Sequence, residues 1–157
     1  MSRPLLVMPC SARKSPAPGL IPARERYDGS PWRTLRANSA GLELDVLVLS
    51  AAHGFIYAET PIADYDRKLD ARRADELAFD ISAPWAREKA LAASRVFLMG
   101  SYAYRAVMLE VLFSGTRAIL DPARVWWPND RGERLAGIGE QLADLKAWLN
   151  SIREGGQ

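Results

Sequence analysis

The 157 residues carry a formal net charge of +2, are 48% hydrophobic, and include one cysteine and one histidine. That size and apolar share suit one domain, residues 1–157, with a sizeable core. The single cysteine excludes an internal disulfide framework and fits a reducing compartment. Leu5 to Met8 is too short an apolar run for a signal peptide or a membrane span, so a cytoplasmic protein away from membranes is expected.

The charge is unevenly spread. Residues 1–36 hold seven Lys/Arg against two acids (+5), and the remainder holds fourteen against seventeen (−3). A basic amino-terminal part suggests contact with phosphate.

The first element is a buried strand, Leu5-Leu6-Val7-Met8, stopped by Pro9. A polar and basic turn follows, Cys10-Ser11-Ala12-Arg13-Lys14. In an open α/β sheet, ligands bind at the carboxyl ends of the strands, where this turn would lie. Residues 15–29 are rich in Pro and Gly and read as a long loop carrying Arg24, Arg26 and Tyr27. An aromatic among cations suits stacking combined with phosphate pairing. Ser30-Pro31 opens a helix to about Ser39, with Ser30 as its N-cap and Gly41 just past its end.

Leu44 to Ser50 is a second buried strand, ending in a polar turn over residues 50–56 that contains His53. Between Pro61 and Asp66, Asp64 and Asp66 flank Tyr65 in a loop able to fold over the strand ends. Residues 71–81 read as a helix, and Ser82-Ala83-Pro84 starts another that reaches about Ala93. Arg95 to Met99 is the third strand. Gly100-Ser101 turns it into a helix to about Leu112 that carries Tyr104, and such a junction presents helix N-terminal amides to an anion. Either Ala118–Leu120 or Val125–Trp127 supplies a fourth strand, followed by a polar loop over residues 128–132. Leu135, Ile138, Leu142, Leu145, Leu149 and Ile152 form one apolar stripe on a last helix, and residues 154–157 are expected to fray. Packing of that stripe on the sheet is the simplest use for it, so a monomer is expected.

Strands alternating with helices imply a three-layer α/β/α sandwich with a four-stranded, mostly parallel sheet. One His and one Cys cannot build the usual zinc sets, so neither a metal nor an organic cofactor is expected.

Four ordered motifs carry a resemblance: Pro9-Cys10-Ser11-x-x-Lys14, Ala23-Arg24-x-x-Tyr27, Leu49-Ser50-Ala51-x-x-Gly54-x-Ile56 and Ile62-x-x-Tyr65-Asp66-x-x-Leu69. Together, over about residues 4–70, they resemble a bacterial and phage domain family. That family is similar to the YaaA proteins and to the PCS-x-x-K domain of archaeosine synthases. Residues 95–152 resemble the second half of the uracil-DNA glycosylase-like fold, with a strand–Gly–helix junction and a later Pro128-Asn129-Asp130-Arg131-Gly132 loop. The chain departs from that pattern twice. No His precedes Pro128, and Cys10-Ser11 stands where a water-activating Asp-Pro-Tyr would be.

The resemblance implies a DNA N-glycosylase that flips out a modified base, such as a hypermodified or glucosylated pyrimidine of phage DNA, and leaves an abasic site. Duplex DNA is then the partner. Asp66 is the first candidate for the catalytic carboxylate and Asp64 the second. Cys10, Ser11, Lys14, Tyr27, His53, Tyr65, Ser101 and Tyr104 would line the base or sugar pocket. Arg13, Arg24, Arg26, Asn129 and Arg131 would hold phosphates. The alternatives are a non-catalytic DNA-binding stress protein of YaaA type and an enzyme acting on free nucleosides or deazaguanine precursors.

Overall fold

A computed structural model of the chain describes residues 2–79, 83–116, 121, 123–128 and 136–156. Its centre is β1 (Leu5–Pro9), which pairs in parallel with β3 (Asp45–Ser50) on one side and β6 (Val96–Leu98) on the other. The main sheet runs β4-β3-β1-β6-β7, with β4 (Gly54–Tyr57) antiparallel to β3 and β7 (Val125–Trp126) parallel to β6. Leu5, Leu6, Val7 and Met8 are all 0% exposed, because the strand is covered on both faces.

Alternation along the strands divides the core in two. Leu5, Val7, Leu47, Leu49, Val96 and Leu98 face α3 (Ala71–Ala78), α4 (Pro84–Ala92) and α5 (Tyr102–Phe113). Leu6, Met8, Val46, Val48 and Phe97 face α2 (Ser30–Asn38) and α6 (Ile138–Gly155). The expected three layers and mostly parallel sheet are therefore present.

The main sheet has five strands, not four. The additional one is β4, read from sequence as part of a polar turn. Gly54 has φ +71°, a left-handed conformation that lets the chain reverse straight out of β3. Phe55 then enters one core while Ile56 packs against the other. Four residues are too few for that alternation to stand out. Of the two candidates for the last parallel strand, Val125–Trp126 forms it, whereas residues 118–120 lie outside the described residues.

The long 15–29 segment also holds structure. Ile21–Pro22 (β2) pairs antiparallel with Pro61–Ile62 (β5), and Ala23–Arg26 (α1) makes one helical turn. The N-cap of α2 is Gly29 rather than Ser30. The carboxyl-terminal tail is helical through Gly155. The stripe on α6 starts at the surface, with Ile138 57% exposed, and its deepest residues are Leu145, Trp148 and Leu149. Trp148 meets Phe97 with ring centroids 5.4 Å apart. Leu135 lies outside the described residues. No described helix is long and apolar enough to cross a membrane.

Arg26 holds the amino-terminal segment together. Its side chain is 0% exposed, and its two terminal nitrogens donate to the carbonyls of Ser15 (2.6 Å), Ala17 (2.8 Å), Gly19 (2.8 Å) and Ile62 (3.3 Å). Its place among the expected phosphate-binding residues is thereby corrected, since a guanidinium enclosed by four carbonyls does not reach a ligand outside. Replacing Arg26 with methionine strands those carbonyls in a buried site and should cost about 3 kcal/mol or more of unfolding free energy. Urea denaturation measures it, and an unchanged midpoint would remove Arg26 from this role.

Candidate functional site

The order of the parallel strands reverses at β1, since the chain moves first to β3 on one side and then to β6 on the other. Such a switch point opens a crevice at the carboxyl ends of the strands. Here that switch-point position, the crevice of such a fold, falls between the end of β1 and the start of α5. Gly100 closes its floor with φ +134°; a Cβ there would meet Tyr104 Cβ at 3.1 Å and Pro9 Cβ and Cγ at 3.4 Å. Glycine thus allows α5 to start close against β1.

Two linked polar groups line the crevice. In the first, the Cys10 thiol and the Tyr104 hydroxyl bond at 3.0 Å, and the Ala51 amide donates to Cys10 Sγ at 3.5 Å. In the second, Ser50 Oγ accepts from the amides of Ala52 (3.2 Å) and His53 (3.1 Å). With both lone pairs engaged, Ser50 donates its own proton to Tyr65 Oη at 2.9 Å. The Tyr65 and Tyr27 hydroxyls bond to each other at 2.7 Å. The backbone amides after β3 thus set the direction of the Ser50–Tyr65 hydrogen bond.

Aromatic contacts fix this chain in place. Tyr27 stacks on Trp32 at 5.4 Å, and Trp32 Nε1 donates to the Pro9 carbonyl at 2.9 Å. Lys14 Nζ lies 4.4 Å from the Tyr65 ring centroid, and His53 meets that ring edge-on at 5.3 Å. Burial raises the pKa of Tyr27, Tyr65 and Tyr104 above the ordinary phenol value of 10.0. All three stay protonated at neutral pH and act as hydrogen-bonding groups, not as bases.

The structure thus brings Cys10, Lys14, Tyr27, Tyr65, His53 and Tyr104 together. Ser11 lies at the edge, where its hydroxyl accepts from the Gly29 amide at 3.2 Å and bonds the Arg13 carbonyl. Ser101 caps α5 and is exposed. Tyr27 is fully buried against Trp32, with its hydroxyl bonded to Tyr65, so it does not offer the stacking surface expected of it. Asp64 and Asp66 are exposed on the loop that carries Tyr65, and Asp64 Oδ1 accepts from the Tyr65 amide at 3.0 Å. Tyr65 is turned inward to Ser50 and Tyr27, and the carboxylates on either side of it face solvent. Arg24 pairs with Glu59, and Arg13 with Asp28 at 3.3 Å. Asn129 and Arg131 lie outside the described residues.

Sequence reading missed Ser50, whose position at the last residue of a strand was the available signal. It also missed Arg73. From α3, that side chain donates to the carbonyls of Ala51 (2.6 Å) and Ala52 (3.1 Å) and pins the turn supporting Ser50. No set of three or more His, Cys, Asp or Glu among the described residues could hold a metal ion. Searches against protein-family models, curated proteins and solved structures gave no match to this chain.

Two outcomes follow from the geometry. Tyr65→Phe removes the link between Ser50 and Tyr27 and should cost about 1–2 kcal/mol in urea denaturation. It should also speed amide exchange at Tyr65 and Asp66; unchanged stability and exchange would show that the hydroxyl chain does not hold the loop. Asp28, surrounded by arginines, has its carboxyl pKa lowered from 3.8 to about 2, chiefly by its hydrogen bond from Arg33. Since the folded value is the lower one, the pairing stabilises above about pH 4 and is lost as pH falls toward 2. Carboxyl NMR titration should find that midpoint near 2 in the wild type and higher in Arg33→Gln.

Proposed function

We propose that the crevice is a base-handling site and, more specifically, that the chain is a DNA N-glycosylase excising a modified base. The observation that carries this reading is the seating of Tyr65. Its hydroxyl bonds inward to Ser50 and Tyr27, while the residues on either side, Asp64 and Asp66, face solvent beside it. A flipped base entering the crevice would meet neutral hydroxyl and thiol groups suited to its polar edges. Its sugar would remain at the rim, beside the carboxylates. The four parallel strands with a crevice at their carboxyl ends support a uracil-DNA glycosylase-like domain, the arrangement that the motif resemblance implies.

The chemistry divides accordingly. The bond from the anomeric carbon to the base nitrogen breaks, and its electron pair leaves with the base. Positive charge develops on the sugar, and Asp66, or Asp64 in its place, stabilises it. Water then bonds to the anomeric carbon and releases its proton to that carboxylate. The phenols cannot serve as the base, because burial keeps them protonated. Lys14, above the Tyr65 ring, supplies positive charge to an electron-rich leaving base or to its phosphate. A hypermodified pyrimidine of phage DNA is the substrate class, and defence against phage in the cytoplasm is the setting.

Plain duplex DNA and glucosylated-hydroxymethylcytosine duplex of one sequence should be compared, with abasic sites scored by alkaline cleavage. Breaks confined to the modified duplex are expected. Asp66→Asn should abolish them while leaving DNA affinity intact. Full activity in both Asp66→Asn and Asp64→Asn would overturn the carboxylate assignment. Salt-sensitive binding without breaks would turn the reading toward a binding protein, and turnover of free nucleosides without DNA binding toward a nucleoside enzyme.

A further inference from the structure

Beside the crevice, three guanidinium groups converge on one carboxylate. Asp28 accepts from Arg33 Nε at 3.2 Å and Nη2 at 2.8 Å, from Arg36 Nη2 at 2.6 Å, and pairs with Arg13 Nε at 3.3 Å. We propose that this cluster is a phosphodiester-binding site that holds the DNA backbone next to the crevice. DNA as the partner rests on the glycosylase reading; the phosphate chemistry rests on the cluster itself.

Charge and exposure both favour an anion. Three cations on one acid leave two positive charges, and Asp28 stays ionised well below neutral pH. The arginine side chains are 68%, 51% and 40% exposed, against 29% for Asp28. The acid therefore lies beneath the cations and the cations face solvent. An exposed ion pair formed one to one would cancel its charge and offer nothing to a ligand.

The cluster is also ordered before any ligand arrives. Arg33 grips Asp28 with two nitrogens, and Arg36 Nη1 donates to the carbonyls of Arg24 and Tyr27, both at 2.9 Å. Arg13 pairs with Asp28 through Nε at 3.3 Å and is the most exposed of the three arginines, and a guanidinium fork matches phosphate geometry. The start of α2 lies next to Asp28, with Gly29 as N-cap, no side-chain cap and no acid in its first turn. Its positive end adds to the field.

Position ties the cluster to the crevice. Lys14 and Tyr27 form an antiparallel bridge, and the Asp28 amide donates to the Arg13 carbonyl at 3.0 Å. Lys14 and Tyr27 turn toward the crevice, and the next residue on each strand, Arg13 and Asp28, belongs to the cluster. A phosphate on the arginines would thus sit one residue step from the mouth, where a nucleotide flanking the flipped one passes.

The test is fluorescence anisotropy with a short fluorescein-labelled DNA duplex over a range of salt. Arg13→Gln and Arg33→Gln should each weaken binding and reduce the slope of log K against log salt by about 0.9, the value for one lost phosphate contact on duplex DNA. Arg72→Gln makes the same charge change on an arginine of α3 that is 89% exposed and pairs with Glu76. It should change neither quantity. Losses in the Arg13 and Arg33 variants no larger than in Arg72→Gln would overturn the site, as would a wild-type protein that does not bind the duplex. Base release is read separately. Triad-dependent binding without release sustains this site and overturns the glycosylase reading, whereas release with unaltered binding in the variants does the reverse.

Discussion

The amino-terminal third of the molecule depends on a charge buried without a carboxylate. Arg26 is enclosed, and among the described residues its terminal nitrogens are met by four backbone carbonyls, from Ser15, Ala17, Gly19 and Ile62. Burying a guanidinium is costly unless it is fully hydrogen-bonded. Closure of the loop around the two terminal nitrogens offsets much of that cost, although Nε has no partner among the described residues, so the charge favours the closed loop. The Ile62 carbonyl belongs to β5, which joins the loop to the segment bearing Asp64, Tyr65 and Asp66. One side chain thereby couples the two walls of the crevice.

Within that frame, polar groups sort by their charge. Behind the ends of β1 and β3 lie neutral donors and acceptors, a thiol, a serine hydroxyl and three phenols that stay protonated, of which Ser50 and Tyr27 are fully buried. The charged groups stand around them, with Lys14 over the Tyr65 ring, Asp64 and Asp66 exposed on either side of Tyr65, and the arginines around Asp28 outside. This separation keeps the desolvated part of the site free of unpaired charge. Backbone amides after β3 fix the Ser50 hydroxyl as the donor to Tyr65, so these side chains are held in place by the fold itself.

The basic balance of the first 36 residues illustrates how one sequence signal divides in three dimensions. Seven cations against two acids suggested a phosphate-binding surface. Arg26 turned inward to hold the loop, and Arg24 paired with Glu59. Arg33 and Arg36, absent from the sequence-level list, joined Arg13 around Asp28. Net charge counts cations but cannot tell a structural one from one that faces solvent.

The sequence by itself determined the three layers and the parallel core of the sheet. Runs such as Leu5–Met8 and Val46–Leu49 are apolar on both faces, and strands covered by helices on each side bury them. It also placed Cys10, Ser50 and Gly100 at strand ends, since chain order fixes where a strand stops. Tertiary structure decided what local patterns are too short to hold. Gly54–Tyr57 became a strand because β3 offered an open edge beside it, and Ile21–Pro22 became one because Pro61–Ile62 came alongside. The partnership of Ser50, Tyr65 and Tyr27 joins residues 15 and 38 positions apart. Such contacts exist only after loop closure, whose entropy is repaid by the packing of the whole domain and by no single segment.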